Sequence, residues 1–379
     1  MQDKKRIAIV RGTKLSKVEC QTYEPLLDAF VIDGIVAKPN SVDFSSELSI
    51  GIKEFFSPSY FFEKLGFDVQ YLLGASTGLS NYDLVLTPEL SSVSTWHGMK
   101  AKEKNPKMII ATLVWENIPF VHENYSIQKK IKKRALKEVD HFIAVTKRAE
   151  FALRKEGVSK DKISVIPVGI DVKRFIPQGK DTALMSKYEL AESDFVILTS
   201  ARNVWEKGIQ DIIIGSSSLL KKHKEAKILI LGAGPLHQAY LDLSARLGIK
   251  NQIRIVGKVP YDEVPKFYNL ADIFALLSIP VPSWQEQFGM VLVENMSSGN
   301  AIITTNTGSI PEVVGDAAYL IGPSDPYLLG QKVEFLHSNL DERMRLGGVA
   351  RRRALEHFSL ELISERFKEI FQKLLYIQQ

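Results

Sequence analysis

Short apolar, β-branched runs alternate along this chain with stretches in which apolar residues recur at spacings of three and four, and the alternation starts almost at the first residue. Runs at residues 7–10, 30–36, 68–73, 83–86, 107–113, 141–145 and 163–166 predict strands of a parallel α/β layer. Between the first two, Ser16 and Glu19 form a capping box for a short helix that Pro25 ends or kinks. Ser57, Pro58 and Gly66 bracket a second helix, whose Tyr60, Phe61 and Phe62 read as core. Residues 126–139 place Ile127, Ile131, Ala135 and Val139 on one helical face, with Lys129, Lys130, Lys133, Arg134 and Lys137 mostly on the other. From Ile166 the chain runs through PVGIDVKRFIPQGKD without periodicity, which sets a domain boundary. A second alternating series follows, with strands predicted at 195–199, 227–231, 252–256, 272–277, 301–304 and 318–321. The expected domains are therefore 1–170 and 171–379, each an α/β layer, and the closing helical stretch at about 359–379 is free to pack back on the first.

Composition narrows the class. A chain of 379 residues, 45% hydrophobic, can bury two large cores. Cys20 is the sole cysteine, so internal disulfides are excluded, and no histidine pair or Cys/His group has metal-ligand spacing. No apolar run reaches the roughly 18 residues of a spanning helix, and MQDKKR leads straight into IAIV without a signal-peptide core. The expectation is a cytoplasmic protein. Through residue 175 there are 27 Lys and Arg against 21 Asp and Glu, and afterwards 22 against 23. The surplus in the first half suits an anionic neighbour. The basic helix either lies on the cytoplasmic face of an anionic membrane or is a solvated outer helix. No nucleic-acid partner is implied.

The chemistry concentrates at SWQEQFGMVLVENMSSG, residues 283–299. Glu286 and Glu294 flank seven residues, and Gly289, Met290 and Val291 open a helix whose N–H groups would face an anion, with Gly299 as its C-terminal cap. Carboxylates accept from hydroxyls and repel phosphate, so an anion pocket flanked by two acids implies a sugar or ribose attached to phosphate. After the first strand of the second series, TSARNVWEKG supplies Arg202 and Lys207, two cations suited to a diphosphate. LGAGP at 231–235 is a broken dinucleotide fingerprint, because His237 holds the third glycine position. At VGKV, Gly257 and Lys258 end another strand where a base could rest on backbone groups.

In order, these motifs resemble the family 4 glycosyltransferases (glycosyl transferases group 1). SARNVWEKG is similar to the family's Ser-Gly-Arg and Lys-Gly loop, VGID with Phe175 to its interdomain segment, and NLADIFALLS to the strand leading into the donor site. EQFGMVLVENMSSG matches its Glu, seven residues, Glu motif, and TGSIPEVV, with Gly308, Pro311 and Glu312, resembles the segment that closes the region. The resemblance implies the GT-B fold: two Rossmann-like domains with parallel sheets facing across a cleft. It also implies a retaining, metal-independent transfer of a sugar from a nucleotide-diphosphate sugar to an acceptor hydroxyl on a glycan, a lipid or a small molecule, with no further cofactor. Arg202 and Lys207 would hold the diphosphate, Glu294 the ribose and Glu286 the transferred sugar. The backbone near Gly257 and Lys258 would hold the base, and Gly12 would line the first half's loop. The first half departs from the pattern: Arg11, Gly12, Thr13 and Lys14 carry one glycine where the family often has a pair. Val114, Trp115, Glu116 and Asn117 stand where it often has a histidine, leaving Glu116 or His122 to stand in. A nucleotide-sugar epimerase of the same fold and a non-catalytic nucleotide-sugar binder are the rival readings.

Overall fold

A computed structural model describes residues 4–12, 17–38, 49–58, 71–123 and 125–376 of the chain. Ser16 of the capping box, most of the helix that begins at Ser57 and residues 68–70 of a predicted strand lie outside the described residues. The chain forms two compact units, Met1–Gly169 with Leu360–Gln379, and Ile170–Ser359.

Among the described residues the first unit carries seven strands: β1 (Arg6–Gly12), β2 (Val31–Lys38), β3 (Gly51–Phe56), β4 (Leu84–Pro88), β5 (Ile109–Val114), β6 (His141–Ala144) and β7 (Ile163–Val165). They are all parallel, in the order β3-β2-β1-β4-β5-β6-β7. The strand order reverses between β1 and β4, and in sheets of this type ligands bind outside the carboxyl ends at that point. β3 has no counterpart among the strands expected from sequence, and of the strand expected at 68–73 the described residues Tyr71–Leu73 are not strand. In GIKEFF the half-buried residues Ile52 and Phe55 stand three apart, so this edge strand lacks the period of two that a half-buried strand shows.

The last helix, Leu360–Tyr376, completes this unit. It buries Ile363, Phe367, Phe371, Leu374 and Leu375 on the β1 face formed by Ile7 and Ile9, with Tyr23 and Phe30 packed edge-on against Phe367 and Phe371. Each such side chain contributes roughly 1.5 to 3 kcal/mol relative to exposure. Ser364 Oγ donates to the Thr22 carbonyl at 2.8 Å, fixing the helix along its axis.

In the second unit, six parallel strands run β10-β9-β8-β11-β12-β13: β8 (Phe195–Ser200), β9 (Ala226–Leu231), β10 (Ile253–Gly257), β11 (Ile273–Leu276), β12 (Ala301–Thr305) and β13 (Tyr319–Ile321). Phe195, Ile197, Ile228, Ile230, Ile273, Ala275 and Ile303 fill one core against the helices Ile209–Lys222 and Pro326–Ser338. The β8/β11 pair is where the strand order of this sheet reverses. Everything placed after those two strands meets at one rim.

Candidate active site

The loops after β8 and β11 are locked together before any side chain is considered. Ile279 N–H donates to the Glu206 carbonyl at 2.8 Å. Gly208, at φ 66°, lies so close to β11 that a Cβ would sit 1.9 Å from the Leu277 carbonyl oxygen, so no other residue fits there. Ser309 N–H donates to the Glu286 carbonyl at 2.9 Å, and a Cβ on Gly308 would come within 2.1 Å of the same oxygen. This is the physical role of the TGSIP segment: its close approach holds the backbone of Glu286.

On this frame Lys207 Nζ donates to Glu286 Oε2 at 2.7 Å, and Ser278 Oγ donates to the same oxygen at 2.7 Å. The Ser278 carbonyl is itself held by Thr305 Oγ at 2.8 Å, and the Lys207 ammonium sits 4.5 Å above the Trp284 ring. Lys207 and Glu286, expected at different parts of a ligand, form one ion pair in the fold, leaving two of the three ammonium donors for other acceptors. Arg202, on the same loop, is exposed and has no ion-pair partner among the described residues.

Glu294 has a different setting. The helix Met290–Ser297 starts at Gly289, whose φ of 82° turns the chain into it. It ends in a Schellman motif, with Gly299 N–H on the Met296 carbonyl and Asn300 N–H on the Asn295 carbonyl. The Asn300 amide also donates to the Tyr268 carbonyl at 3.0 Å, placing that tyrosine beside the helix. Tyr268 donates to Glu294 Oε2 at 2.9 Å and Tyr261 to Oε1 at 3.2 Å. Phe175 packs on both tyrosine rings. Burial raises the Glu294 carboxyl to about 7, and the two phenol hydrogen bonds only partly oppose it. Neither tyrosine was singled out from sequence; the spacing of seven between them is visible, but nothing in it points to an acid 26 residues beyond Tyr268.

Met290 and Val291 are half-buried at the start of the helix. Gly257 ends β10 with φ 86°, its carbonyl accepting from Gly232 N–H at 2.8 Å, and Lys258 beside it is exposed. Thus Arg202, Lys207, Gly257, Lys258, Glu286, Gly289, Met290, Val291 and Glu294 all follow the carboxyl ends of strands in one sheet. Gly12 belongs to the first unit, at the end of β1, and Thr13 and Lys14 lie outside the described residues.

The first unit's rim gathers a separate set. Glu89 follows β4 with φ 50°, and Phe120 and His122 follow β5 with φ 62° and 58°, three strained residues at one rim. His122 Nε2 lies 3.2 Å from Glu116 Oε2, and Glu89 Oε1 accepts from Trp115 N–H at 2.8 Å. All three acid and imidazole side chains line one cavity with Lys132 and Glu156. Burial raises the Glu89 carboxyl to about 7; the Trp115 N–H opposes this and nearby Glu116 adds to it. The hydrogen bond that the His122 ring N–H donates to the Glu116 carboxylate raises the pKa of the imidazole. Glu89 was not anticipated from sequence.

The basic helix, Ser126–Glu138, spends much of its charge internally. Lys132 is buried and pairs with Glu156 at 2.8 Å, Lys129 with Glu123 at 3.0 Å, and Arg134 with Glu103 and Glu138 at 2.6 and 2.7 Å. Ile127, expected inside, is 66% exposed. Among the described residues, no helix is long and apolar enough to cross a membrane.

Comparison with known proteins covers both units. Residues 180–353 match the glycosyl transferases group 1 model, and residues 62–174 match the Glycosyltransferase Family 4 model. The chain is 31% identical over 202 residues to N-acetyl-alpha-D-glucosaminyl L-malate synthase of Bacillus anthracis, covering 51% of this chain and 49% of that protein. It is 25% identical over 268 residues to the MMP alpha-(1->4)-mannosyltransferase of Mycolicibacterium hassiacum, covering 70% and 61%. The matches thus span about half to three-fifths of the length of these curated relatives. Among solved structures, a glycosyltransferase from Rickettsia africae superposes with a TM-score of 0.78 at 21% identity over 99% of both chains. Anabaena HepE, solved in complex with UDP and glucose, superposes with a TM-score of 0.78 at 18% identity, over 97% of this chain and 99% of that one. At these identities the likeness is one of fold.

Proposed function

Since the chain belongs to the group 1, family 4 glycosyltransferases, we propose that it moves a sugar from a nucleoside-diphosphate sugar to an acceptor hydroxyl with retention of configuration. The observation that carries this reading is the Lys207–Glu286–Ser278 cluster at the β8/β11 reversal, next to the loop that opens the helix at Gly289. In this reading Lys207 uses its remaining donors on the diphosphate, Arg202 closes over it, and the N–H groups of Met290 and Val291 face its oxygens. Glu286 contacts the transferred sugar, Glu294 accepts from ribose hydroxyls, and backbone groups at Gly257 and Lys258 hold the base.

The chemical work is leaving-group stabilisation. As the bond between the anomeric carbon and the diphosphate oxygen opens, negative charge grows on that oxygen, and fixed cations and N–H dipoles stabilise it more than the ground state. The acceptor oxygen attacks from the same face, and its proton passes to a phosphate oxygen of the departing diphosphate. The first unit's Glu89, Glu116 and His122 suit a hydroxyl-rich acceptor, offering carboxylate acceptors and an imidazolium donor. The test is incubation with labelled nucleoside-diphosphate sugars and a pool of glycan, lipid and small-molecule acceptors. Label transferred to acceptor supports the reading; an isomerised donor without transfer, or binding without turnover, overturns it.

A further inference from the structure

At the opposite end of the second sheet, away from the donor residues, three side chains far apart in sequence converge. His223 caps the C-terminus of the helix Ile209–Lys222, Glu225 precedes β9, and His337 lies in the last turn of the helix Pro326–Ser338. His223 Nδ1 lies 2.9 Å from Glu225 Oε1, and His337 Nε2 lies 3.8 Å from the same oxygen. One ligand atom from each of the three lies within 4.8 Å of the others. In a tetrahedral site with bonds of about 2.0 to 2.1 Å, ligand atoms stand about 3.4 Å apart. The observed separations bracket that value, so small side-chain rotations close the site.

The His337 imidazole is oriented from behind, and the backbone of both histidines is held. His337 packs edge-on against Phe195 at 4.9 Å and 88°, and its ring lies 4.4 Å from that of His223. The His223 carbonyl accepts from the Gln252 amide at 2.9 Å, and the His337 carbonyl from Arg343 at 3.0 Å. The two imidazoles, tilted by 50° to one another, share one carboxylate oxygen and leave room for one cation between them.

We propose that His223, Glu225 and His337 form a binding site for a zinc-class divalent transition-metal ion, with water in the fourth position, clamping the ends of two helices. Two nitrogen ligands and one oxygen exclude magnesium and calcium as the natural occupants, since those ions take oxygen ligands. Glu334, one turn before His337 and held by Lys222 at 2.7 Å, adds negative charge nearby. The clamp is structural: nothing in it reaches the donor residues.

The experiment uses the full chain without an affinity tag, stripped with a chelator and dialysed. Titration with zinc chloride is followed by calorimetry and by thermal unfolding, and cobalt substitution by visible absorption. The parent is expected to take up one zinc ion per chain, to unfold at higher temperature with zinc and not with magnesium, and to show tetrahedral cobalt bands. His223→Gln and His337→Gln should each raise the zinc dissociation constant by well over roughly 10-fold, the lower range for losing even an outer-shell partner. His337→Gln also disturbs packing on Phe195, so Glu225→Gln, an exposed change, serves as the second variant; it too should abolish the zinc-dependent rise. A parent that takes up no zinc, or variants that bind it as the parent does, overturn the proposal.

Discussion

Two glutamates eight positions apart, Glu286 and Glu294, are buried almost alike, at 8% and 4% exposure, yet their surroundings are of opposite kind. Glu286 lies in a loop between an ammonium and a serine hydroxyl, each at 2.7 Å. Glu294 lies inside a helix, where among the described residues two phenols donate to its oxygens. Burial alone therefore says little about what a carboxylate does; the identity of the donors around it decides. A cation-paired acid is built to work beside another charge, here the diphosphate of the proposed donor. A phenol-caged acid costs energy to ionise and is built to accept from neutral hydroxyls.

The largest effect should come from breaking the first member. Glu286→Gln is expected to lower kcat by about 100-fold or more if its sugar contacts strengthen in the transition state. Binding of the bare nucleoside diphosphate should stay level or tighten, because Lys207 loses its carboxylate partner and keeps all its donors for phosphate. Steady-state kinetics alongside calorimetry separates the two quantities. If the variant turns over like the parent, or loses affinity for the bare nucleotide, the pairing does not serve the donor sugar.

The second expectation concerns pH. The Glu294 carboxyl is raised from 4.5 to about 7 in the folded protein, so the native state holds this proton more tightly than the unfolded chain. Its contribution to stability is fully present below about pH 4.5 and is lost as pH rises through about 7, where the buried group must ionise among phenols. The parent should thus lose roughly 3 kcal/mol over this window relative to Glu294→Gln. Urea unfolding of both proteins at pH 4.5, 6 and 7.5 reads the difference directly. A gap between parent and variant that does not change with pH would falsify the phenol-cage account.

Much of this contrast was legible in the sequence and part of it was not. The spacing of Glu286 and Glu294, the glycine at each end of the helix and the loop with Arg202 and Lys207 are local, so motif and capping rules reach them. Twelve of the thirteen strands among the described residues stand out as apolar runs, most of them because central parallel strands are buried on both faces; β3 escapes as an exposed edge strand. What decides the chemistry is long-range. Tyr261 and Tyr268 reach Glu294 only because Asn300 ties the helix cap to the Tyr268 backbone. Lys207 and Glu286, 79 residues apart, meet only because β8 and β11 are neighbours. His223 and His337 show no ligand spacing in sequence and come together only when two helices pack.

A smaller effect should follow Glu294→Gln on binding. In the proposed complex this residue accepts from ribose in ground and transition states alike, so its loss should weaken nucleoside diphosphate binding by about 1 to 2 kcal/mol, mainly as a higher KM. Tyr268→Phe, which removes the shorter of the two phenol bonds, should reproduce part of that loss by leaving the carboxylate less well oriented. The comparison fails if Glu294→Gln and Glu286→Gln change nucleotide affinity equally.

The smallest expected effect is none at all: turnover should be unchanged in excess EDTA. The charge on the departing diphosphate is met in this reading by Lys207, Arg202 and the N–H groups that open the helix at Met290, and the chain has no Asp-x-Asp sequence to hold a divalent ion there. The three residues proposed to bind zinc adjoin the amino ends of β8 and β9, while the donor residues follow the carboxyl ends. Six residues of β8 separate the two, roughly 20 Å at about 3.3 Å per residue. Chelation should therefore lower the unfolding temperature of a zinc-loaded sample while leaving its initial rate intact when assayed well below that temperature. Loss of turnover in EDTA, restored by magnesium or manganese, would mean that a metal completes the donor site and that the cations named here are insufficient by themselves. Loss restored only by zinc, and absent in Glu225→Gln, would instead tie the helix clamp to activity through the packing of the second unit.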